Sequence, residues 1–191
     1  MKKIFLINGS QPIGRAKGGL NKTLMDTAAE TLDKMGCEVR STTISAGFNA
    51  PEEVDKFLWC DSALFHFPVF WMSLPSIFKK YIDEVFITSH GKMYAGDGRD
   101  LGKNYGQGGM MSPRKYMAVA TWNAPATAFM TPGQFFEGKN ADDVLYPFHK
   151  LQQFMGLAPL PSFHLFDVMR NPRVEAYLAE YRAHLEKHFG A

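Results

Sequence analysis

Short apolar runs alternate along this chain with longer stretches of helical period, and that alternation limits its fold more than any other feature. Residues 3–8 read Lys-Ile-Phe-Leu-Ile-Asn and end at Gly9, the form of a strand buried on both faces. Residues 20–35 follow, with Leu20, Leu24, Met25, Ala28, Leu32 and Met35 on one helical face and Gly36 as the stop. Residues 38–44 read as a second strand, 62–67 as a third, 115–122 as a fourth and 162–168 as a fifth. Helices are expected at 51–60 and 75–86, opened by Pro51 and Pro75, and at 175–189. The helical pattern at 144–155 is kinked or restarted by Pro147. Strand and helix in turn predict a parallel sheet covered by helices on both faces. In such sheets ligands sit beyond the carboxyl ends of the strands, where the strand order reverses.

Composition narrows the function. The 191 residues are 46% hydrophobic and 21% charged, a globular balance that fits about one domain. A net charge of +2 without a basic cluster argues against nucleic acid. No apolar run approaches the ~18 residues of a membrane span. The four-residue stretch Ile4-Phe5-Leu6-Ile7 is too short for a secretory signal, so a cytoplasmic protein is expected. Cys37 and Cys60 match no CxxC or zinc spacing and read as buried thiols.

Three strand-end loops hold the least ordinary sequences. The first, residues 9–19, is rich in glycine, enters a helix directly, and carries Arg15 and Lys17, with Lys22 just beyond. Close-approaching backbone N–H groups and a helix N-terminus make an anion site suited to a pyrophosphate, although neither a Walker loop nor GxGxxG is present. The second, residues 68–74, places Phe70, Trp71 and Met72 in a connection that should lie at the surface. A planar ligand stacked there explains them; capping of the core or a subunit contact is the alternative. The third, residues 122–132, opens Trp122-Asn123-Ala124-Pro125 and offers backbone and amide hydrogen bonds to a heterocycle's edge. Together the loops supply what a flavin needs: apolar faces, edge donors and a phosphate site.

Other candidates are weaker. His184 and His188 stand four apart with no third metal ligand nearby, so no metal is expected. His66 and His164 alternate with apolar residues and read as core or strand-end histidines. Asp97-Gly98-Arg99-Asp100 reads as a turn. Residues 91–109 are long for a plain connection and suit a lid or dimer arm carrying Tyr105. His149, within the aromatic cluster at 146–149, is a candidate for a place beside the substrate slot.

The chain resembles the modulator of drug activity B family, NADPH-dependent quinone reductases related more distantly to the DT-diaphorase type. The resemblance spans essentially all of it. It is carried by Phe57-Leu58-Trp59, Trp71-Met72, Lys79-Lys80-Tyr81-Ile82-Asp83, His90-Gly91, Tyr94-Ala95, Asp97-Gly98-Arg99 and Tyr105-Gly106. Further on it rests on Lys115-Tyr116-Met117, Thr121-Trp122-Asn123-Ala124-Pro125, Leu145-Tyr146-Pro147-Phe148-His149-Lys150 and Pro159-Leu160-Pro161. It implies an α/β flavodoxin-like three-layer sandwich with a five-stranded parallel sheet and helices on both faces. One domain would span 1–191, with a loop insertion around 87–113.

It also implies bound FAD in place of FMN, NADPH as electron donor, a quinone acceptor, and a homodimer with the flavin ring near the interface. Phosphates and adenosine would be held by Ala16, Lys17, Gly18, Gly19, Leu20, Asn21, Lys22 and Thr23. The ring would be held by Pro68, Val69, Phe70, Trp71, Met72 and Tyr105, together with Thr121, Trp122, Asn123 and Ala124. Two departures stand out. Val69-Phe70 replaces the Gly-Trp that relatives often carry, and residues 126–134 hold neither the Tyr nor the His that DT-diaphorases use near the reduced flavin. The expected chemistry is a ping-pong, two-electron hydride transfer through flavin N5, with Asn123 as the candidate stabiliser of the reduced ring and no side-chain acid or nucleophile. The rivals are a nitro- or azo-reductase on the same flavin, and a non-enzymatic flavin carrier or regulatory module.

Overall fold

The computed structural model describes residues 1–14 and 16–190. Its elements run β1 (Lys3–Asn8), α1 (Gly19–Lys34), β2 (Glu38–Thr43), α2 (Ala50–Trp59), β3 (Ser62–Pro68) and α3 (Ser76–Thr88). They continue with β4 (Lys115–Thr121), α4 (Ala141–Val144), α5 (Tyr146–Phe154), β5 (Ala158–Pro159), β6 (Phe163–Leu165) and α6 (Val174–Phe189). All strands are parallel, in the order β2-β1-β3-β4, with β5 and β6 sharing the fifth place beside β4. The chain leaves β1 to one side for β2 and returns on the other side for β3, so the order reverses between β1 and β3. Their carboxyl ends frame a crevice there.

The alternation of side chains along each strand divides the interior into two layers. Phe5 and Ile7 of β1, Phe65 and Phe67 of β3 and Ala118 of β4 face α2, α3 and α5. Ile4, Leu6, Leu64, Met117 and Val119 face α1 and α6. The expected fold is therefore the observed one. Its boundaries move by a residue or two, except at the helix expected from 144, which begins at Ala141, and at the fifth strand. There β5 pairs Ala158 and Pro159 with Lys115 and Tyr116, the chain breaks, and β6 resumes pairing opposite Val119, Ala120 and Thr121. Pro159 and Pro161 carry no N–H group, which prevents one continuous ladder. Pro147 likewise separates α4 from α5 by sitting in the first turn of the latter.

Several polar groups inside the body of the fold are tied by hydrogen bonds, although both side-chain polar atoms of buried Gln152 have no partner. Glu53, 1% exposed, accepts hydrogen bonds from Tyr81 Oη (2.7 Å), Thr42 Oγ1 (3.0 Å) and Lys56 Nζ (2.6 Å) and so ties α2 to β2 and α3. His66, fully buried on β3, meets Tyr181 Oη of α6 at 2.8 Å, and burial lowers its pKa to about 4. It is a neutral core histidine, as its place in the strand predicts. Cys37 and Cys60 are buried free thiols, and burial raises the pKa of each.

Candidate active site

The three strand-end loops are cross-tied at their roots. Gly9 N–H donates to His66 O (2.8 Å), Val69 N–H to Thr121 O (2.9 Å), and Trp122 N–H to Leu165 O (2.7 Å). Each loop thus starts where its neighbouring strand stops, and all open on the same side. Gly9 is required by packing: a Cβ there would stand 2.7 Å from the Phe78 ring. Arg15 of the first loop lies outside the described residues.

The first loop feeds α1 through Gly18, whose φ of 74° is left-handed and whose position offers no side chain to cap the helix. The first turn contains no acidic residue, and its earliest main-chain bond to the cap is Lys22 N–H to Gly18 O. The amides of Gly19, Leu20 and Asn21 therefore point out of the helix end as donors, with the positive end of the helix dipole behind them. Asn21 is 97% buried. Its Nδ2 donates to Thr121 Oγ1 (3.2 Å), while Oδ1 has no partner. A buried acceptor left unmet costs on the order of 1–3 kcal/mol.

The second loop is a tight hairpin. Phe70 and Ser73 exchange N–H···O bonds of 3.0 Å each, and Trp71 and Met72 between them take φ values of 50° and 60°. Both central residues are left-handed, a turn that ordinarily selects Gly or Asn. The strain, on the order of 1–2 kcal/mol per residue, holds the Trp71 indole 94% exposed over the crevice.

Two cavities meet here. One, of about 230 Å³, is lined by Ala16, Lys17, Gly18, Gly19, Leu20, Asn21, Pro68, Val69, Phe70, Thr121 and Asn123. Gln11, Val168 and Met169 complete its wall. The other, of about 530 Å³, is lined by Val69, Trp71, Met72, Trp122, Asn123, Ala124, Pro125, Phe136, Asp167 and Arg170. Val69 and Asn123 belong to both. The structure thus brings the three loops together over one crevice.

It sets some expected residues elsewhere. Lys22 pairs with Asp26, and Thr23 Oγ1 donates to Gly19 O, so both are spent on α1 itself. Tyr105, 72% exposed, packs on Phe154 at 5.9 Å beside a different hollow and lines neither cavity. Trp122 borders the larger cavity but is otherwise buried, edge-on to Phe129 at 5.0 Å, with Nε1–H donated to His164 Nδ1 (3.2 Å).

A network the sequence concealed begins at that indole. Because Trp122 only donates, His164 Nδ1 is the acceptor and Nε2–H bonds to Asp142 Oδ1 (2.9 Å). The same oxygen accepts from His149 Nε2 (3.1 Å), and His149 Nδ1 meets Tyr116 Oη (2.7 Å). Burial alone would raise the Asp142 pKa, but hydrogen bonds from His149, His164 and Ser162 outweigh it and hold the carboxyl well below the usual range. Burial pushes the Tyr116 hydroxyl up to about 12. His149 thus lines a hollow between α5 and β5, away from the strand-end crevice. Sequence reading also passed over Asp167, Met169 and Arg170. Asp167 fell inside the strand read at 162–168, and only the fold places the turn that holds all three against the loop after β4.

A family model described as flavodoxin-like fold matches residues 2–189. The chain is 46% identical over 190 residues to the NADPH:quinone oxidoreductase MdaB of Haemophilus influenzae, covering 98% of this chain and 99% of that one. It is 42% identical over 192 residues to an uncharacterized protein of Schizosaccharomyces pombe, covering 99% and 98%. In three dimensions it is similar to the general stress protein 14 of Treponema denticola, a crystal structure in complex with FMN. The TM-score is 0.72 at 20% identity, over 98% of this chain and 99% of that one.

Proposed function

The chain belongs to the flavodoxin-like fold family, and within it to the MdaB-type NADPH:quinone oxidoreductases, and on that premise we propose that the strand-end cavity takes its flavin as FAD. The protein is an NAD(P)H:quinone oxidoreductase. The observation that carries the cofactor reading is the cavity where α1's free amides, the unpartnered Asn21 Oδ1 and the aromatic hairpin converge. These groups fit a flavin. The amides of residues 19–21 and the Lys17 ammonium suit its phosphates, and Asn21 Oδ1 suits a hydroxyl donor on its polyol chain. Val69, Phe70 and Trp71 suit a ring face.

When bound, the flavin supplies the hydride chemistry, accepting two electrons from NADPH and passing them to a quinone that follows it into the same slot. The residues of this chain bind and orient. Val69 and Asn123, shared by both cavities, would stand between a flavin held in one and a substrate entering the other. The Asn123 amide and the main chain of residues 121–124 present fixed dipoles to the negative charge of a reduced ring. Trp71 and Phe136 wall the second cavity with apolar surface, which displaces water from the slot. Trp122 acts from behind, its indole clamped by His164 and Phe129, and so fixes the Asn123 edge.

Tyr105 reaches the slot only from a second copy, so its role as a ring contact goes with a homodimer in which residues 87–113 form the arm of an otherwise single domain. A cytoplasmic site of action completes this reading; among the described residues no helix is long and apolar enough to cross a membrane.

The test starts with the purified protein. It is expected to be yellow, to release FAD on heating, to bleach when NADPH is added without oxygen, and to regain colour with a quinone. Released FMN would overturn the choice of FAD. A colourless protein that FAD does not reconstitute would overturn the cofactor reading.

A further inference from the structure

Resting on the reading above, we propose that Arg170 selects NADPH over NADH by pairing the 2′-phosphate that distinguishes them. The two dinucleotides share every other group, so discrimination requires a positive charge where the donor's tail leaves the slot. Among the described residues Arg170 is the cation lining the 530 Å³ cavity, and Lys17 lines the other one, at the α1 end. A flavin whose phosphates lie against α1 leaves the Trp71–Phe136 side open to the incoming donor.

The turn that carries Arg170 is held from several directions. Asp167 N–H donates to Ala124 O (3.0 Å), Val168 N–H to Trp122 O (3.1 Å), and Asn171 N–H to Asp167 O (2.9 Å). Tyr177 Oη donates to Phe166 O (2.7 Å) just before it. Asp167 itself takes a left-handed φ of 57°. That constrained backbone turns Val168 and Met169 toward one cavity and Asp167 and Arg170 toward the other.

Nearby, Arg173 is engaged over the Tyr177 ring at 5.3 Å. The ion pairs among the described residues include none to Arg170. An arginine on a fixed stem, at the mouth of a redox slot and without an acidic partner, has the fork geometry to grip a phosphate. Asp167 on the same wall acts in the opposite sense, repelling the phosphate and favouring a free hydroxyl. The balance is set by which side chain reaches further, and arginine is much the longer.

The experiment compares wild type with Arg170→Ala and Arg170→Lys, using a simple benzoquinone as acceptor. The NADPH-to-NADH ratio of kcat/KM is expected to fall about tenfold or more in Arg170→Ala, with Arg170→Lys between. A second readout needs no turnover: calorimetric titration with adenosine 2′,5′-bisphosphate against adenosine 5′-monophosphate. Arg170→Ala is expected to lose about tenfold in affinity for the bisphosphate relative to the monophosphate. Ratios within twofold of wild type in both measurements would overturn the assignment. Failure of the wild type to oxidise either dinucleotide would instead strike the enzymatic reading, and the titration would still report on Arg170.

Discussion

The buried carboxylate at Glu53 and the buried amide at Asn21 sit on opposite helical layers of one sheet and meet opposite fates. Glu53 is surrounded: Tyr81, Thr42 and Lys56 all donate to it. Asn21 is almost as buried and lies against the smaller cavity, yet its Oδ1 has no partner. Around Glu53 the backbone is regular, whereas beside Asn21 the crevice is lined by left-handed Gly18, Trp71 and Met72. The surroundings of Glu53 are finished by the chain itself. The strand-end crevice is finished only by something that brings hydrogen-bond donors, a flat face and negative charge. The difference separates groups kept for stability from groups kept for a ligand.

The contrast breaks most visibly if Glu53 proves dispensable. Glu53→Ala strands the Lys56 ammonium and two hydroxyl groups, and urea unfolding is expected to show a loss of about 3–5 kcal/mol. Next in size is acid sensitivity from His66. Its folded pKa of about 4 lies below the 6.5 of an ordinary imidazole. The unfolded state therefore binds the proton first. The stability from the neutral ring is fully present above pH 6.5, falls as pH drops below it, and is gone below about 4. The loss across that window is about 3 kcal/mol, and His66→Gln should flatten the slope.

At the crevice the expected effects on folding shrink and those on function grow. Trp71→Ala, at an exposed position, should leave stability within about 0.5 kcal/mol of wild type. It should still lower kcat/KM for the quinone about tenfold, since aromatic contact and apolar area are both removed. Smallest for the fold is Asn21→Leu, which removes an unmet acceptor and is expected to shift apo-protein stability by at most about 1 kcal/mol, upward.

Much of this was legible in the residues, for physical reasons. β1 is read to the residue because strands buried on both faces are continuous in apolarity, and α1 to within one residue at each end because its stripe keeps a clean helical period. The fifth strand is read only at 162–168, and the two-residue piece Ala158–Pro159 ahead of it is not, since so short a run beside two prolines shows no strand period. The crevice was legible as three loops, because strand-end loops of a parallel sheet must converge. Which way each aromatic turns was not: Trp71 and Trp122 both lie in strand-end loops, yet one is exposed and the other is buried. The Asp142 network left no signal, because its members are spread over four elements with no shared period. Arg170 was hidden because only the fold places the turn after β6 against the loop after β4.

The most direct trial is a calorimetric titration of flavin-free protein with FAD, wild type beside Asn21→Leu. Wild type should bind one FAD per chain, and the substituted protein at least about tenfold more weakly while unfolding no earlier in urea. Equal affinity in the two proteins, or no heat of binding in the wild type, would contradict the claim that the crevice is left unfinished for a flavin.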